Sequence, residues 1–371
     1  MTAYDRAPAF LTIDVGAVVA NWRLIRDRVG PGCEAAAVVK ADCYGLGAER
    51  IVPGLAAAGC RTFFVATIDE GIAIRKVLPR EVTVVILGGP LPGAAADLAE
   101  HALTPVLNSL DQIGLWAGYA AATGSRLKAV LHLDTGMSRL GLDAPAIAML
   151  AADPALLNGI DPILVMSHMA CADETGHPKN RQQLAVFQTL SEQLGLPARR
   201  SLGASSTIFL GPDYHFDLVR PGAVLYGLNP TPDQANPMAA VVALHARILQ
   251  VRDVDSPMTV GYGATHSVRG KGRVAVAALG YADGVFRSLG NSGFGVIEGE
   301  RVPVVGRISM DLTTFDVSAL APEQARPGAL IEIIGPHQAA DDLAAQGGTI
   351  GYEVLTALGR RYLRTYQGEV V

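Results

Sequence analysis

Lys40 is the residue whose type and position first suggest chemistry. The chain of 371 residues has 30 lysines and arginines but only five lysines, and Lys40 directly follows the apolar run 35–39. A lysine amine in an apolar setting loses its proton more readily, so it can act as a nucleophile and form a Schiff base with an aldehyde. The alternative is a lysine whose apolar stem packs at a strand end while its amine reaches water.

Other polar residues follow later apolar runs in the same way. The ends of these runs carry side chains or glycines suited to catalysis or anion binding: Asp134, Arg139, His168, Ser205, Ser206, Arg220 and Gly222. Ser206 also precedes a plausible helix start, where free backbone N–H groups favour anions. If the run ends meet, a lysine, two arginines, a histidine and a serine pair converge on one rim.

The elements that must position these residues alternate between apolar, strand-like runs and helix-compatible stretches. The strand-like runs are 34–41, 61–67, 81–88, 103–108, 127–134, 161–168, 198–205 and 216–222. They are almost continuously apolar, which is typical of parallel strands covered by helices. Eight such units predict an α/β fold with an N-terminal (β/α)8 TIM-like barrel, in which the carboxyl ends of the strands form the active-site face. A doubly wound open sheet is the alternative.

The rhythm stops at a segment rich in Pro and Asn, 229–238. Beyond it, short β-branched runs are separated by glycines, with one helix expected at about 349–359, which predicts a predominantly β domain. We therefore expect a barrel over residues 10–232 and a C-terminal β domain over residues 238–371, to which residues 1–9 also belong.

Composition limits the classes of function. The chain is 50% hydrophobic and carries a net charge of −5 with interspersed signs, which argues against a nucleic-acid-binding surface. No apolar run is long enough to cross a membrane, and the N-terminus lacks the features of a signal peptide. The four cysteines form no C-x-x-C pair, which favours reduced thiols. We expect a cytoplasmic protein with no metal site and no nucleic-acid or membrane partner.

A reactive lysine and an anion site on one barrel rim together suggest a cofactor. Pyridoxal 5'-phosphate (PLP) offers an aldehyde for the lysine and a phosphate for the loops after the seventh and eighth strands. Several segments then resemble the motifs of alanine racemases in their order and spacing: AVVKADCYGLG (37–47), HLDTGMSRLG (132–141), SHMA (167–170), VRPGAVLYG (219–227), GYG (261–263), GYADG (280–284), GRISMD (306–311) and GYEVLTALGRR (351–361). The resemblance extends from about residue 10 to about residue 365 and covers both expected domains.

The resemblance implies a role for each matching residue. Lys40 would bind PLP covalently. The other residues implied in PLP binding are Tyr44, His168, Ser206, Arg220, Gly222, Ala223 and Tyr352. Arg139 and Met310 would bind the substrate, alanine, and Arg139 would also contact PLP. The product D-alanine would supply peptidoglycan.

Interconversion of L- and D-alanine needs two acid/base groups on opposite faces of the α-carbon. The resemblance implies that Lys40 serves the D-enantiomer and that Tyr262, from the partner subunit of a homodimer, serves the L-enantiomer. Arg220 would contact the pyridine nitrogen and leave it unprotonated, because a guanidinium does not readily supply a proton. The alternatives are a turn aromatic for Tyr262 and an ion pair with Asp217 for Arg220.

Three positions depart from the common family pattern. His132 replaces a frequent lysine, often carbamylated, while Ser205 replaces a frequent asparagine and Cys43 a frequent small residue. A chloride, a water or His132 itself would then support Arg139, which leaves a broader amino-acid racemase on the same scaffold as an alternative. A non-catalytic PLP-binding protein is a third possibility, against which Tyr262 and the second domain argue.

Overall fold

The first and the last described strands of the chain lie in the same sheet. The structure, a computed structural model, describes residues 2–368, so the first residue and the last three of the expected β domain lie outside the described residues. A short helix, α1 (Ala3–Arg6), precedes the first strand, β1 (Ala9–Asp14). Among the described residues, no helix is both long and apolar enough to span a membrane.

Parallel strands after β1 close into a barrel. They are β2 (Glu34–Ala35), β3 (Ala37–Val38), β4 (Thr62–Val65), β5 (Thr83–Ile86), β6 (Leu103–Leu107), β7 (Leu127–His132), β8 (Ile160–Met166), β9 (Arg199–Ser201) and β10 (Leu218–Val219). Strands β3 to β9 pair in sequence order. β10 pairs with β2, which leads into β3, and Ala204 forms a parallel bridge to Arg220. The predicted (β/α)8 barrel is confirmed, and the open sheet is wrong.

Helices alternate with these strands and cover the barrel. They are α2 (Val15–Val29), α3 (Lys40–Gly45), α4 (Ala48–Ala57), α5 (Ile68–Arg75), α6 (Ala95–Glu100), α7 (Leu110–Thr123), α8 (Ala144–Ala152) and α9 (Pro178–Leu194). Residues 41–44 of α3 have left-handed backbone angles, so α3 is a turn at the end of β3 and not a covering helix. Thr67, Ser109 and Asp143 cap α5, α7 and α8 by accepting a backbone N–H with their side-chain oxygens. Gly124 and Gly195 end α7 and α9 in the left-handed conformation.

The barrel interior is apolar. Buried side chains from successive strands fill it: Ala36, Val38, Phe64, Val85, Val106, Val130, Leu164, Met166 and Leu218. A larger buried cluster packs the outer faces of the strands against the helices. Because both faces are covered, the strands show no simple alternation of apolar and polar residues, and the polar side chains appear at the strand ends.

The C-terminal domain is predominantly β. Its elements are β11 (Val242–Val254), β12 (Thr259–Val260), β13 (His266–Ser267), β14 (Gly272–Ala277), β15 (Phe294–Ile297), β16 (Glu300–Pro303), β17 (Thr313–Asp316), β18 (Leu330–Ile334), α10 (Ala340–Gly347), α11 (Gly351–Ala357) and β19 (Leu363–Gln367). The helix expected near 349–359 corresponds to α11, whereas α10 was not predicted. Its two acidic residues at 341–342 follow Ala339 rather than a polar capping residue, so its start carries a weak sequence signal.

The pairing of β1 differs from the expected domain assignment. β1 runs antiparallel to β11 and parallel to β19, so residues 10–14 belong to the sheet of the β domain and not to the barrel. Both partners lie more than 220 residues away along the chain, and a local pattern carries no signal for such a pairing. The remaining domain boundaries stay a prediction.

Asn21 ties the barrel to the segment that leads into the β domain. Its Nδ2 donates to the carbonyls of Leu225 and Ala239, and its Oδ1 accepts from the Ala239 N–H at 2.8 Å. The side chain is only 1% exposed. Its amide therefore satisfies the buried Leu225 carbonyl and both backbone polar groups of Ala239.

We expect Asn21→Ala to lower the free energy of unfolding by roughly 2–4 kcal/mol, because three hydrogen bonds are lost and the buried Leu225 carbonyl is left without this partner. Chemical denaturation at one fixed protein concentration measures the change. Arg23→Ala, at an exposed position of the same helix, is the matched control and should change it by less than about 0.5 kcal/mol. Equal effects of the two substitutions would contradict this role.

Candidate active site

Lys40 lies at the carboxyl end of a barrel strand. The Val39 N–H continues the pairing of β3 by donating to the Phe64 carbonyl at 2.8 Å, and Lys40 is the next residue. The four residues that follow, 41–44, all have left-handed backbone angles, with φ between 51° and 56°. None is glycine, so each costs about 1–2 kcal/mol. The chain thus leaves the strand through a strained left-handed turn that begins at Lys40.

The environment of Lys40 favours the uncharged amine. Burial lowers its pKa, and the Arg139 guanidinium lowers it further, while the Glu70 carboxylate acts in the opposite direction. An uncharged lysine amine can attack a carbonyl carbon or accept a proton. The structure thus gives Lys40 the electrostatic setting that the sequence suggested.

Arg220 is a buried cation held by neutral groups. Its side chain is 4% exposed. Nη1 donates to the carbonyl of Ser201 at 2.9 Å and to its hydroxyl, and Nη2 donates to the Ser167 carbonyl at 2.5 Å. The Asp217 carboxylate instead accepts from the Arg200 N–H, so the expected alternative of an Arg220–Asp217 ion pair is wrong. Burial lowers the Arg220 pKa to about 10, which still leaves it charged at neutral pH.

Two histidines near these cations are held neutral. Burial, followed by the charges of Arg220 and Arg139, lowers the pKa of His168 to about 3 and that of His132 to about 4. His132 lies at the end of β7, where Nδ1 and the Asn108 Oδ1 are 2.8 Å apart. A neutral ring whose Nδ1 carries the proton donates to this oxygen. His132, one of the departures from the family pattern, is therefore buried and held in one orientation.

A cluster of hydroxyl groups faces the carboxyl end of the barrel from three segments. The Tyr44 ring lies 6.0 Å from the Tyr352 ring, and Tyr352 hydrogen-bonds to Ser206. Burial raises the pKa values of Tyr44 and Tyr352, so both phenols keep their protons and can donate. Ser206 precedes a 3₁₀ helix (Thr207–Leu210), and Ala223 begins another (Ala223–Tyr226).

Gly222 lies against this hydroxyl cluster, and the space beside it has no room for a side chain. A Cβ at this position would lie 2.6 Å from the Tyr44 hydroxyl oxygen, so a side chain would displace the ring. The Gly222 N–H donates to the Ser205 Oγ at 3.0 Å. Ser205, one of the departures from the family pattern, therefore fixes the glycine loop against Tyr44.

The loop that carries Arg139 is built by Asp134. Its Oδ1 accepts the backbone N–H groups of residues 136, 137 and 138 at 2.9–3.1 Å. These bonds lower the Asp134 pKa against the effect of burial. Asp134 is therefore engaged in shaping the turn, and Arg139 follows on its exposed side.

Tyr262 and Met310 lie apart from this rim. Tyr262 is 71% exposed in the turn between β12 and β13, and Met310 is 53% exposed in the β domain. No hydrogen bond or ring contact within residues 2–368 links either side chain to the barrel of the same chain. The structure thus brings together Lys40, Arg220, His168 and the hydroxyl cluster, and leaves these two residues facing outward.

The loop that holds Met310 depends on an arginine fork that the sequence analysis did not single out. The Arg361 guanidinium donates to both oxygens of buried Asp283, at 2.6 and 2.7 Å, and to the Asp311 carboxylate at 2.7 Å. It therefore joins segments 280–284 and 309–312 to the segment that follows α11. These residues lie in segments that resemble the family, so the motifs themselves were the available signal.

Asn108 is the other residue that the sequence analysis missed. Besides orienting His132, its Nδ2 donates to the carbonyls of Leu87 and Val106 at 3.1 and 3.3 Å. Its position at the end of the run 103–108 was the available signal. Within residues 2–368, no three His, Cys, Asp or Glu side chains converge as metal ligands.

Family models and relatives match both domains. The model of the alanine racemase N-terminal domain matches residues 13–230, and that of the alanine racemase C-terminal domain matches residues 241–366. An alanine racemase of Rhodospirillum rubrum is 52% identical over 365 residues, covering 98% of this chain and 97% of the relative. One of Rhizobium meliloti is 46% identical over 374 residues, covering 98% and 97%.

Solved structures agree in fold. The alanine racemase of Bartonella henselae, crystallised with covalently bound pyridoxal phosphate, superposes with a TM-score of 0.94 at 40% identity, covering 97% of this chain and 99% of that chain. The alanine racemase of Streptomyces coelicolor superposes with a TM-score of 0.92 at 32% identity, covering 99% and 100%. Both domain models match and the relatives align over nearly the whole chain, so the protein belongs to the alanine racemase family.

Proposed function

We propose that this protein is a PLP-dependent alanine racemase in which Lys40 and Tyr262 exchange the α-proton on opposite faces of alanine. The proposal rests first on Lys40, whose amine is partly buried beside Arg139 and therefore has a lowered pKa. A base works best when its pKa lies near the operating pH. The full-length likeness to alanine racemases favours alanine over a broader range of amino acids and over a non-catalytic binding role.

The residues at the rim fit PLP. When bound, PLP withdraws electrons from the α-carbon of the substrate and so eases loss of its proton. Lys40 would hold the aldehyde carbon. Hydroxyls and the glycine loop would hold the phosphate: Tyr44, Ser206, Tyr352, Gly222 and Ala223. The protonated phenols supply donors, and the missing side chain at Gly222 leaves Tyr44 in place.

Arg220 and His168 would contact the ring of the cofactor. Arg220 is charged, and its buried partners are carbonyl and hydroxyl oxygens rather than a carboxylate. A guanidinium keeps its own protons, so the pyridine nitrogen would accept a hydrogen bond without becoming protonated. His168, kept neutral by burial and then by the surrounding cations, would add no further charge.

Tyr262 would reach the site of the partner subunit. Its high exposure and its separation from the rim of its own chain support a homodimer with shared active sites. Met310 would lie beside it, on the loop held by Arg361. In such a dimer Tyr262 would lie across the substrate from Lys40 and would remove or return the proton on the L face.

Arg139 would bind the substrate carboxylate. It follows the turn shaped by Asp134 and acts on the pKa values of Lys40 and His132, so its charge reaches the site. Buried His132, held by Asn108, would support it from the end of β7. Met310, from the partner, would complete the substrate pocket.

We place the enzyme in the cytoplasm, where D-alanine would be made for peptidoglycan. The four free cysteines support this location. The substrate is a small amino acid, and the net charge of −5 supports a protein without nucleic-acid partners. We propose no membrane partner.

Borohydride reduction of the holoenzyme should attach the cofactor irreversibly to Lys40 alone among the five lysines. Peptide mapping identifies the labelled residue. Lys40→Arg should also lower racemisation by at least about 100-fold, since an acid/base group is lost. Lys271→Arg, at an exposed position, should leave both results unchanged. Label on any lysine other than Lys40 would refute the assignment.

Tyr262→Phe should lose α-proton exchange on the L side while keeping it on the D side. An acid/base group contributes roughly 100- to 10,000-fold, so incorporation of deuterium into L-alanine in heavy water should fall by that order. PLP binding should persist, because the substitution removes no charge. Tyr4→Phe, at another exposed tyrosine, is the control. Equal losses for both enantiomers would show that Tyr262 is structural.

Mixed subunits test whether Tyr262 acts in the partner's site. Lys40→Ala and Tyr262→Phe chains, each poorly active alone, should recover activity when they exchange, because one site of each mixed dimer keeps both bases. Random pairing gives roughly a quarter of all sites intact. A racemisation assay after verified subunit exchange measures the recovery. No recovery would place both bases in one chain.

A further inference from the structure

The carboxylate of Glu70 links the start of α5 to the left-handed turn that follows Lys40. Its Oε2 accepts the N–H groups of Ala66 and Thr67, at 2.7 and 3.3 Å, before the first turn of α5. Its Oε1 accepts the N–H of Ala41 at 2.8 Å. Glu70 and Ala41 are 29 residues apart, so this bond is tertiary and does not belong to a helix cap.

The Ala41 N–H belongs to the peptide bond that directly follows Lys40. Its orientation fixes the ψ angle of Lys40 and therefore the direction in which the chain enters the left-handed turn. Other bonds hold the turn further along: Cys43 N–H to the Val39 carbonyl, Gly47 N–H to the Asp42 carbonyl, and Ala48 N–H to Asp42 Oδ1. The Cys43 bond thus holds the carbonyl of the peptide before Lys40, and the Glu70 bond holds the N–H of the peptide after it.

Glu70 also acts on Lys40 through its charge. Burial and Arg139 lower the Lys40 pKa, and the Glu70 carboxylate partly offsets them. The carboxylate therefore holds the backbone next to Lys40 through a hydrogen bond and raises the pKa of the Lys40 amine through its charge. The cap of α5 uses only the bonds to residues 66 and 67, so neither the bond to Ala41 nor the effect on the Lys40 pKa is part of it.

We propose that Glu70 is a positioning residue that holds the Lys40 peptide in the orientation needed for proton transfer on the D face. This inference rests on the role proposed above for Lys40. This role requires both carboxylate oxygens, because Oε2 accepts from the start of α5 and Oε1 accepts from the turn after Lys40. A side chain with one carbonyl oxygen cannot serve both.

Two variants separate this role from helix capping. Glu70→Gln keeps the size of the side chain but can accept on one side only. Thr67→Ala removes the other half of the same cap, the bond from the Glu70 N–H to Thr67 Oγ1 at 3.3 Å, and leaves the bond to Ala41 intact. Both are compared with the wild-type holoenzyme.

Hydrogen exchange of the holoenzyme is the first measurement. In the wild type the Ala41 amide should be protected, and in Glu70→Gln it should exchange on the order of 10-fold faster, as expected when one hydrogen bond is lost. Thr67→Ala should leave it unchanged. An unprotected wild-type amide would overturn the inference even if Glu70→Gln failed to fold, and so would equal exchange in the wild type and Glu70→Gln.

Deuterium incorporation into each enantiomer is the second measurement. Glu70→Gln should slow exchange of D-alanine by roughly 10- to 100-fold, because small misplacements of a reacting group are expensive. The effect should appear in kcat more than in KM, and exchange of L-alanine should change much less. Equal slowing by Glu70→Gln and Thr67→Ala would show that Glu70 acts only as the cap of α5 and would contradict the inference. Absence of exchange in the wild type would instead refute the proposed function, and the hydrogen-exchange result would still decide whether Glu70 holds the turn.

Discussion

The active-site end of the barrel depends on positive charge that is buried without a carboxylate partner. Within residues 2–368, the Arg220 guanidinium donates to the Ser167 carbonyl and to the carbonyl and hydroxyl oxygens of Ser201, and to no carboxylate. These neutral acceptors stabilise the guanidinium without cancelling its field. The field therefore reaches His168 and His132, whose rings it helps to keep uncharged. A carboxylate beside the Arg220 guanidinium would oppose this field and weaken its effect on the two rings, although burial would still disfavour their charged form.

The closed barrel is what makes this burial possible. Arg220 follows β10, and the oxygens that hold it come from the ends of β8 and β9. Only the parallel order of adjacent strands brings three such ends together. The apolar side chains beneath exclude water from below, so the hydrogen bonds of Arg220 form in a dry setting where they are strong. The buried charge of Arg220 therefore depends on the closure of the barrel.

The sequence predicted the barrel and its rim residues, because continuous apolar runs with polar ends leave a local signal. It did not predict the left-handed turn at 41–44, since four non-glycine residues with positive φ have no compositional signature. It also missed the bonds from Asn108 to His132 and from Arg361 to Asp283, which join residues 24 and 78 positions apart. Pairings at that separation follow from the completed fold and not from neighbouring residues.

The position of β1 has a consequence for how the protein is made. This strand lies between β11 and β19, so the earliest described strand of the β-domain sheet is flanked by two strands that are synthesised much later. While the chain is being translated, residues 9–14 have no partner until β11 has been made, and their second edge stays open until β19 emerges. Native contacts of such long sequence separation form slowly. Gene fragments cut at the linker would therefore separate the β domain from one of the inner strands of its own sheet.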